Sequence, residues 1–285
     1  MRTQVSPARP FELWSFNGDW QLNRAGLEPW QGYAIRLNRA ATLFLSPGVA
    51  GLSEGVAVHA VANNEGENWL LQIIASNGRS ESRFNFAGQH ADAAGEVDAW
   101  DLHQPPRLAD EMQVQFRRSE IAGGLKADVR QPSDEGHTWE FACIVNPEDE
   151  LLRLTFEGVK QIPAGFEVFL VDEETATAFD LRSNNQLEFA IKNLTEKKFK
   201  LLAGNKSYVT AQAREVELYP QNYVLLQNFP NPFNQATQII YSLPEAGMVD
   251  LSVYNVHGQL VARLVNELQS AGSHTAVWQG CRRGR

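Results

Sequence analysis

Four acidic residues, Asp92, Glu96, Asp98 and Asp101, fall within ten positions of one another beside Gly95. Carboxylates at such short spacing are what a calcium ion gathers, since Ca²⁺ takes roughly six to eight oxygen ligands. The spacing is not that of an EF-hand. Calcium is therefore the one cofactor suggested here, set against the plainer reading of a solvated acidic loop with no cofactor. His90 and His103 flank the same loop. With Asp92 or Asp101 they would offer a donor set for zinc, although surface histidines are the simpler account.

Two carboxylate pairs, Glu173-Glu174 and Asp149-Glu150, stand in turn-like sequence. Glycosidase carboxyls must face each other across a cleft, so these read as solvated charge runs. There is no Walker A loop or dinucleotide fingerprint, and the chain reads as non-catalytic. Trp14, Phe16, Trp20, Trp30 and Tyr33 crowd into one short segment. Exposed in a row, they could stack on the apolar faces of sugar rings. Buried, they are the packing of a partial module.

The elements that would carry these residues are strands. Trp69, Leu71, Ile73 and Ala75 alternate with other residues, as do Met112, Val114 and Phe116. Leu152, Leu154 and Phe156 repeat the pattern, followed by Phe166, Val168 and Leu170, then Leu187, Phe189 and Ile191. A period of two turns one set toward a core and the other toward water. Turn sequences such as Ser76-Asn77-Gly78 and Pro163-Ala164-Gly165 separate the runs. The expectation is an all-β chain: an antiparallel β-sandwich followed by a small immunoglobulin-like β-sandwich. Its divisions are an aromatic-rich partial β module over 1–50 and a sandwich over 51–210 with strands from about Val56. A polar linker over 211–219 and a last module over 220–285 follow.

Composition narrows the function classes. A net charge of −9 over 285 residues argues against nucleic-acid partners, which require a basic face. No run of about 18 apolar residues exists, so no transmembrane helix is expected. Met1 to Pro10 lacks the apolar stretch of a signal peptide, which fits an internal start within a longer gene. Cys143 alternates with Trp139, Phe141 and Val145 and reads as a buried small hydrophobe. Cys281 falls in a different module, which argues against a disulfide between them.

The most specific pattern lies near the C-terminus. Gln227-Asn228-Phe229-Pro230-Asn231-Pro232-Phe233-Asn234 reads as a rigid turn, because the two prolines fix φ and the asparagines bond locally. Ile239, Tyr241 and Leu243 form one strand, and Val249, Leu251 and Val253 the next. Tyr254-Asn255-Val256-His257-Gly258 closes a hairpin, with Gly258 suited to positive φ. Ala271-Gly272-Ser273-His274 leads to Trp278, expected in the core. Taken together, this stretch resembles the C-terminal sorting domain of type IX secretion clients, related in pattern to the immunoglobulin-like domain of flagellar hook-capping proteins.

That resemblance covers about Leu225 to Gly280. It implies passage to the extracellular side or outer-membrane surface and the type IX secretion machinery as partner. The family pattern continues beyond its tryptophan into a final aromatic strand. Here Cys281-Arg282-Arg283-Gly284-Arg285 follows instead, so the module reads as truncated, with an exposed sheet edge. Upstream, Leu27-Glu28-Pro29-Trp30-Gln31-Gly32-Tyr33-Ala34-Ile35 and the Trp139-Glu140-Phe141 run resemble uncharacterised sandwich modules of surface proteins with such tails. Three readings follow: an exported structural protein, a surface module binding polysaccharide or protein, or the remainder of a secreted hydrolase whose catalytic domain lies upstream.

Overall fold

From Trp69 onward, apolar residues recur at every second position of successive runs, which suits a pleated surface buried on one side. The computed structural model describes residues 11–16, 20–23, 33–37 and 68–280, apart from 99, 106, 108–110, 120, 122, 192, 214, 215 and 235. Trp30, a strand start at Val56 and the tail 281–285 lie outside these described residues.

Near the N-terminus, β1 (Phe11–Phe16) pairs antiparallel with β2 (Trp20–Leu22) and β3 (Tyr33–Leu37). The main body contains β4 (Trp69–Ser76), β5 (Glu81–Gln89), β6 (Leu102–His103), β7 (Gln113–Phe116), β8 (Leu125–Arg130) and β9 (Gly136–Ile144). It continues with β10 (Leu151–Glu157), β11 (Glu167–Asp172), β12 (Thr177–Asp180), β13 (Gln186–Ala190) and β14 (Glu196–Gly204). Hydrogen bonding runs β12-β11-β14-β9-β7-β8-β5-β4-β10-β13, with β6 also on β8. Every pairing is antiparallel except β5 with β8. The expected all-β, sandwich-like fold is present.

The two halves of this strand order lie face to face. Trp69 of β4 meets Trp139 of β9 edge-on at 5.6 Å. Phe189 of β13 meets Phe179 of β12 at 5.8 Å and Phe199 of β14 at 5.0 Å. Each alternating run named above supplies this one core, and Cys143 is fully buried within it as expected. Burial of each large apolar side chain is worth roughly 1.5–3 kcal/mol.

The outer face of β11 and β14 carries a second cluster: Phe169, Val171 and Leu202 under α1 (Lys206–Ala213). This helix runs into the expected linker, whose residues Ala213 and Leu218 are buried. Asn205 caps it, its Oδ1 accepting the Tyr208 N–H at 2.9 Å. Only Val209 and Ala213 of the helix are buried, with Tyr208 packed partly against the same cluster, too few apolar positions for a helical period to show in sequence.

Six further strands follow: β15 (Val224–Leu225), β16 (Phe229–Asn234), β17 (Ala236–Leu243), β18 (Gly247–Tyr254), β19 (Leu260–Gln269) and β20 (Gly272–Gln279). β20 runs the length of β17, and β15 and β16 share the other side of β17. β18 and β19 form a two-stranded hairpin. This C-terminal unit sits against β13: the Ala190 N–H donates to Gln238 Oε1, and Thr275 Oγ1 donates to Glu188 O, both at 3.3 Å. Among the described residues, no helix is long and apolar enough to cross a membrane.

Candidate functional site

The sorting-like motif divides between two places in the C-terminal unit. Asn231-Pro232-Phe233-Asn234 is not the expected turn but part of β16, where the pairs Phe229↔Gln238 and Asn234↔Ala236 bracket a bulge. Pro230 and Pro232 carry no N–H and are tolerated because β16 is an edge strand. Asn228 Nδ2 donates to Thr237 Oγ1 at 2.9 Å, and that hydroxyl donates to Pro230 O at 3.0 Å. The pair pins the bulge from below, while Gln227 beside it is exposed. Phe233 packs on Trp278 at 5.2 Å. Trp278 is only half-buried, because this small sheet covers one of its faces and not the other.

The second group is the tip of the β18–β19 hairpin. Tyr254 is 60% exposed and Val256 97%. Asn255 Oδ1 accepts the N–H groups of His257 at 2.9 Å and Gln259 at 3.0 Å. Gly258 takes φ 75°, and its N–H donates to Asn255 O at 2.9 Å. The hairpin therefore closes where sequence predicts. Between the groups, Gly272 opens β20 with φ 128°, and buried His274 stacks on Tyr241 at 5.5 Å. The Tyr241 hydroxyl donates to Gln269 Oε1 at 2.6 Å. These contacts position β17, β19 and β20 relative to one another.

That surface is apolar. Among the described residues, every large apolar side chain classed as exposed lies between Tyr219 and Leu268. On the first edge these include Leu225, Leu226 and Phe229, and on the hairpin Met248, Leu260 and Leu268. Exposed apolar groups gathered in one region mark an interaction surface.

The acidic loop is built differently from a cation cage. Asp98 Oδ1 accepts the Trp100 N–H at 2.7 Å and its Oδ2 the Ala94 N–H at 2.5 Å. Asp101, buried, accepts the Val129 N–H on Oδ1 at 3.0 Å and the Asp98 N–H on Oδ2 at 3.1 Å. Asp92 and Glu96 are exposed. Among the described residues, no group of three or more His, Cys, Asp and Glu is arranged to hold a metal ion. His90 stacks on Trp100 at 3.6 Å, and its Nδ1 accepts the Asp92 N–H. Burial pushes the Asp101 carboxyl up to about 6, against the two backbone N–H groups that pull it down.

Beneath this loop lies a charged centre that the motif search passed over. Asp128 is wholly buried and takes Arg118 Nη2 at 2.6 Å and Arg130 Nη2 at 2.8 Å. Burial alone would raise its carboxyl, but the bonds to Arg130 and Arg118 carry it below the usual range. The Arg130 guanidinium lies 5.2 Å from the Trp139 ring, and the Trp139 indole N–H donates to Asp128 O at 3.0 Å. The sequence signal was Lys126, Asp128 and Arg130 sharing one face of β8, which period-two scanning for apolar residues does not register.

Trp14 and Trp20 are buried, and Trp20 Nε1 donates to Glu111 Oε2 at 3.1 Å. Neither stands in an exposed row for sugar stacking. No known protein family matches the chain, and neither the curated proteins nor the solved structures returned a match.

Proposed function

We propose that this chain is a non-catalytic protein of the cell exterior, at the outer-membrane surface or released from it. Its C-terminal unit acts as an address for the type IX secretion machinery, and the large sandwich is a spacer or stabilising neighbour. One observation supports the reading most: the exposed large apolar side chains concentrate in the same unit as the sorting-like motif. Tyr254, Asn255 and Gly258 form a hairpin tip available to a partner. The bulged strand from Phe229 to Asn234 offers a second, edge-strand contact.

The test is a signal peptide and a fluorescent reporter fused ahead of residues 1–285, expressed in a bacterium with a working type IX system and in a strain lacking it. The expected result is reporter on the surface or in the medium of the first strain only. Retention in the periplasm of both strains would overturn the proposal.

A further inference from the structure

Lys197 is a lysine in the middle of a hydrophobic core. It precedes Phe199, Leu201 and Ala203 at every second position of β14, and all three face the main cluster. On the neighbouring strand β11, Val168 and Leu170 face the same cluster, and the next residue in that series is Asp172. Alternation thus sets a cation and an anion inward on adjacent strands. The Lys197 side chain is 1% exposed and that of Asp172 0%. Isolated charges are expensive in such surroundings.

The contact between them is close at both carboxylate oxygens. Lys197 Nζ lies 3.1 Å from Asp172 Oδ1 and 3.0 Å from Oδ2. A nitrogen that close to both oxygens lies within about 3.5 Å of the carboxyl carbon, the separation of a near-attack pair. A third group completes the set: Glu174 Oε2 is 2.9 Å from the same Nζ. The turn sequence Glu173-Glu174 reads as a solvated charge run, yet Glu174 reaches in from the rim, 34% exposed, to cover the ammonium. Its backbone N–H donates to Asp172 Oδ1 at 3.0 Å, whereas Oδ2 faces the Lys197 ammonium at 3.0 Å and has no further donor. The rings of Phe189 and Phe199 stand 5.5 and 5.6 Å from Nζ and keep water away.

We propose that Lys197 and Asp172 condense to an intramolecular amide that staples β14 to β11, with Glu174 as the proton carrier. One proton passes from the Nζ ammonium to Asp172 Oδ2, giving a neutral amine and a neutral acid. The Nζ lone pair then attacks Cγ and the C–N bond forms. The Glu174 carboxylate takes a second proton from Nζ and delivers it to Oδ2. The Cγ–Oδ2 bond breaks and that oxygen leaves as water past Glu174, the exposed side of the site. Oδ1, held by the Glu174 N–H, carries the developing negative charge and remains as the amide oxygen. Ammonium plus carboxylate becomes amide plus water, with no net proton, oxidant or co-substrate. Cys143 stands opposite Lys197 on β9, but burial pushes its thiol well up and keeps it un-ionised.

The experiment is mass spectrometry of the purified 285-residue chain, intact and after protease digestion. The expected intact mass is lower than the sequence mass by one water. The digest should yield a branched peptide joining the segments around 172 and 197, with trypsin no longer cutting after Lys197. Lys197→Arg keeps the positive charge without the nucleophile and should recover the full mass. Glu174→Gln keeps the shape without the proton carrier and should also recover it. Linear peptides containing Asp172 and Lys197 separately, from wild-type protein, would overturn the proposal, as would a water loss confined to a linear peptide.

Discussion

Trp69 and Trp139 meet edge to face at 5.6 Å across the two layers of the sandwich, and each indole N–H has its own buried acceptor. Trp69 donates to Gln89 Oε1 at 3.1 Å and Trp139 to Asp128 O at 3.0 Å. This pair joins β4 to β9 and rests directly on the Asp128 centre. Trp139→Ala should therefore cost about 3–5 kcal/mol, the usual range for a large aromatic truncated in a core. Urea unfolding followed by far-UV circular dichroism measures it. An unchanged midpoint would mean that the inward face of β9 has been assigned wrongly.

Asp101 and Asp128 should give opposite pH dependences. The folded state holds the Asp101 proton up to about 6, while the unfolded chain releases it near its ordinary value of 3.8. Between those values the native state binds more protons, so the Asp101 contribution falls as pH rises and is flat above the window. Asp128 has its folded value lowered, so its contribution is present above the unfolded value and is lost as pH falls through the folded one. Asp101→Asn removes only the first titration. The stability of wild type minus variant should then decline by up to about 3 kcal/mol from about pH 4 to about pH 7. A difference that stays constant across that range would exclude Asp101 as the titrating group.

Much of the architecture was legible because it rests on period-two burial. Trp139, Phe141, Cys143 and Val145 read as one inward face and are one. What escaped was whatever broke that rule for a physical reason. Lys197 and Asp172 occupy inward positions of their strands, yet a lone charge ends a hydrophobic run on paper. Its partner lies 25 residues away, a pairing that only the β11–β14 register reveals. α1 buries just two residues, and its polar remainder looks like linker. The Asn-Pro-Phe-Asn segment carries strong turn chemistry, but an edge position beside Thr237 lets it run as a bulged strand. In the acidic loop the residue types suggested a cation, whereas their oxygens serve backbone N–H groups.

Calcium tests that last point. Both oxygens of Asp98 and both of Asp101 already accept backbone N–H donors. A cation would have to replace those bonds and unfold the turn that holds the loop against Val129. Millimolar Ca²⁺ should leave the melting temperature unchanged, since only a ligand that binds the folded state raises it. A rise that saturates with calcium and disappears in Asp98→Asn would show that the loop reorganises into a binding site.

The β18–β19 hairpin should be the least protected strand pair of the chain's C-terminal half. Its strands pair only with each other, and Met248, Tyr254, Leu260 and Leu268 are exposed along it. A two-stranded hairpin is marginal in water without a covered face, whereas β9 and β14 are buried between pairing neighbours on both sides. Local opening follows from few buried contacts. Amide hydrogen exchange read by mass spectrometry should show peptides from 247–269 exchanging at least about tenfold faster than those from 136–144 and 196–204, a difference of roughly 1.4 kcal/mol or more in opening free energy. Adding a partner that covers the hairpin should slow its exchange and leave β9 and β14 unchanged. Equal protection of the hairpin and the central strands in the isolated chain would mean that its apolar face is already covered, and that the surface proposed for the export machinery is not free.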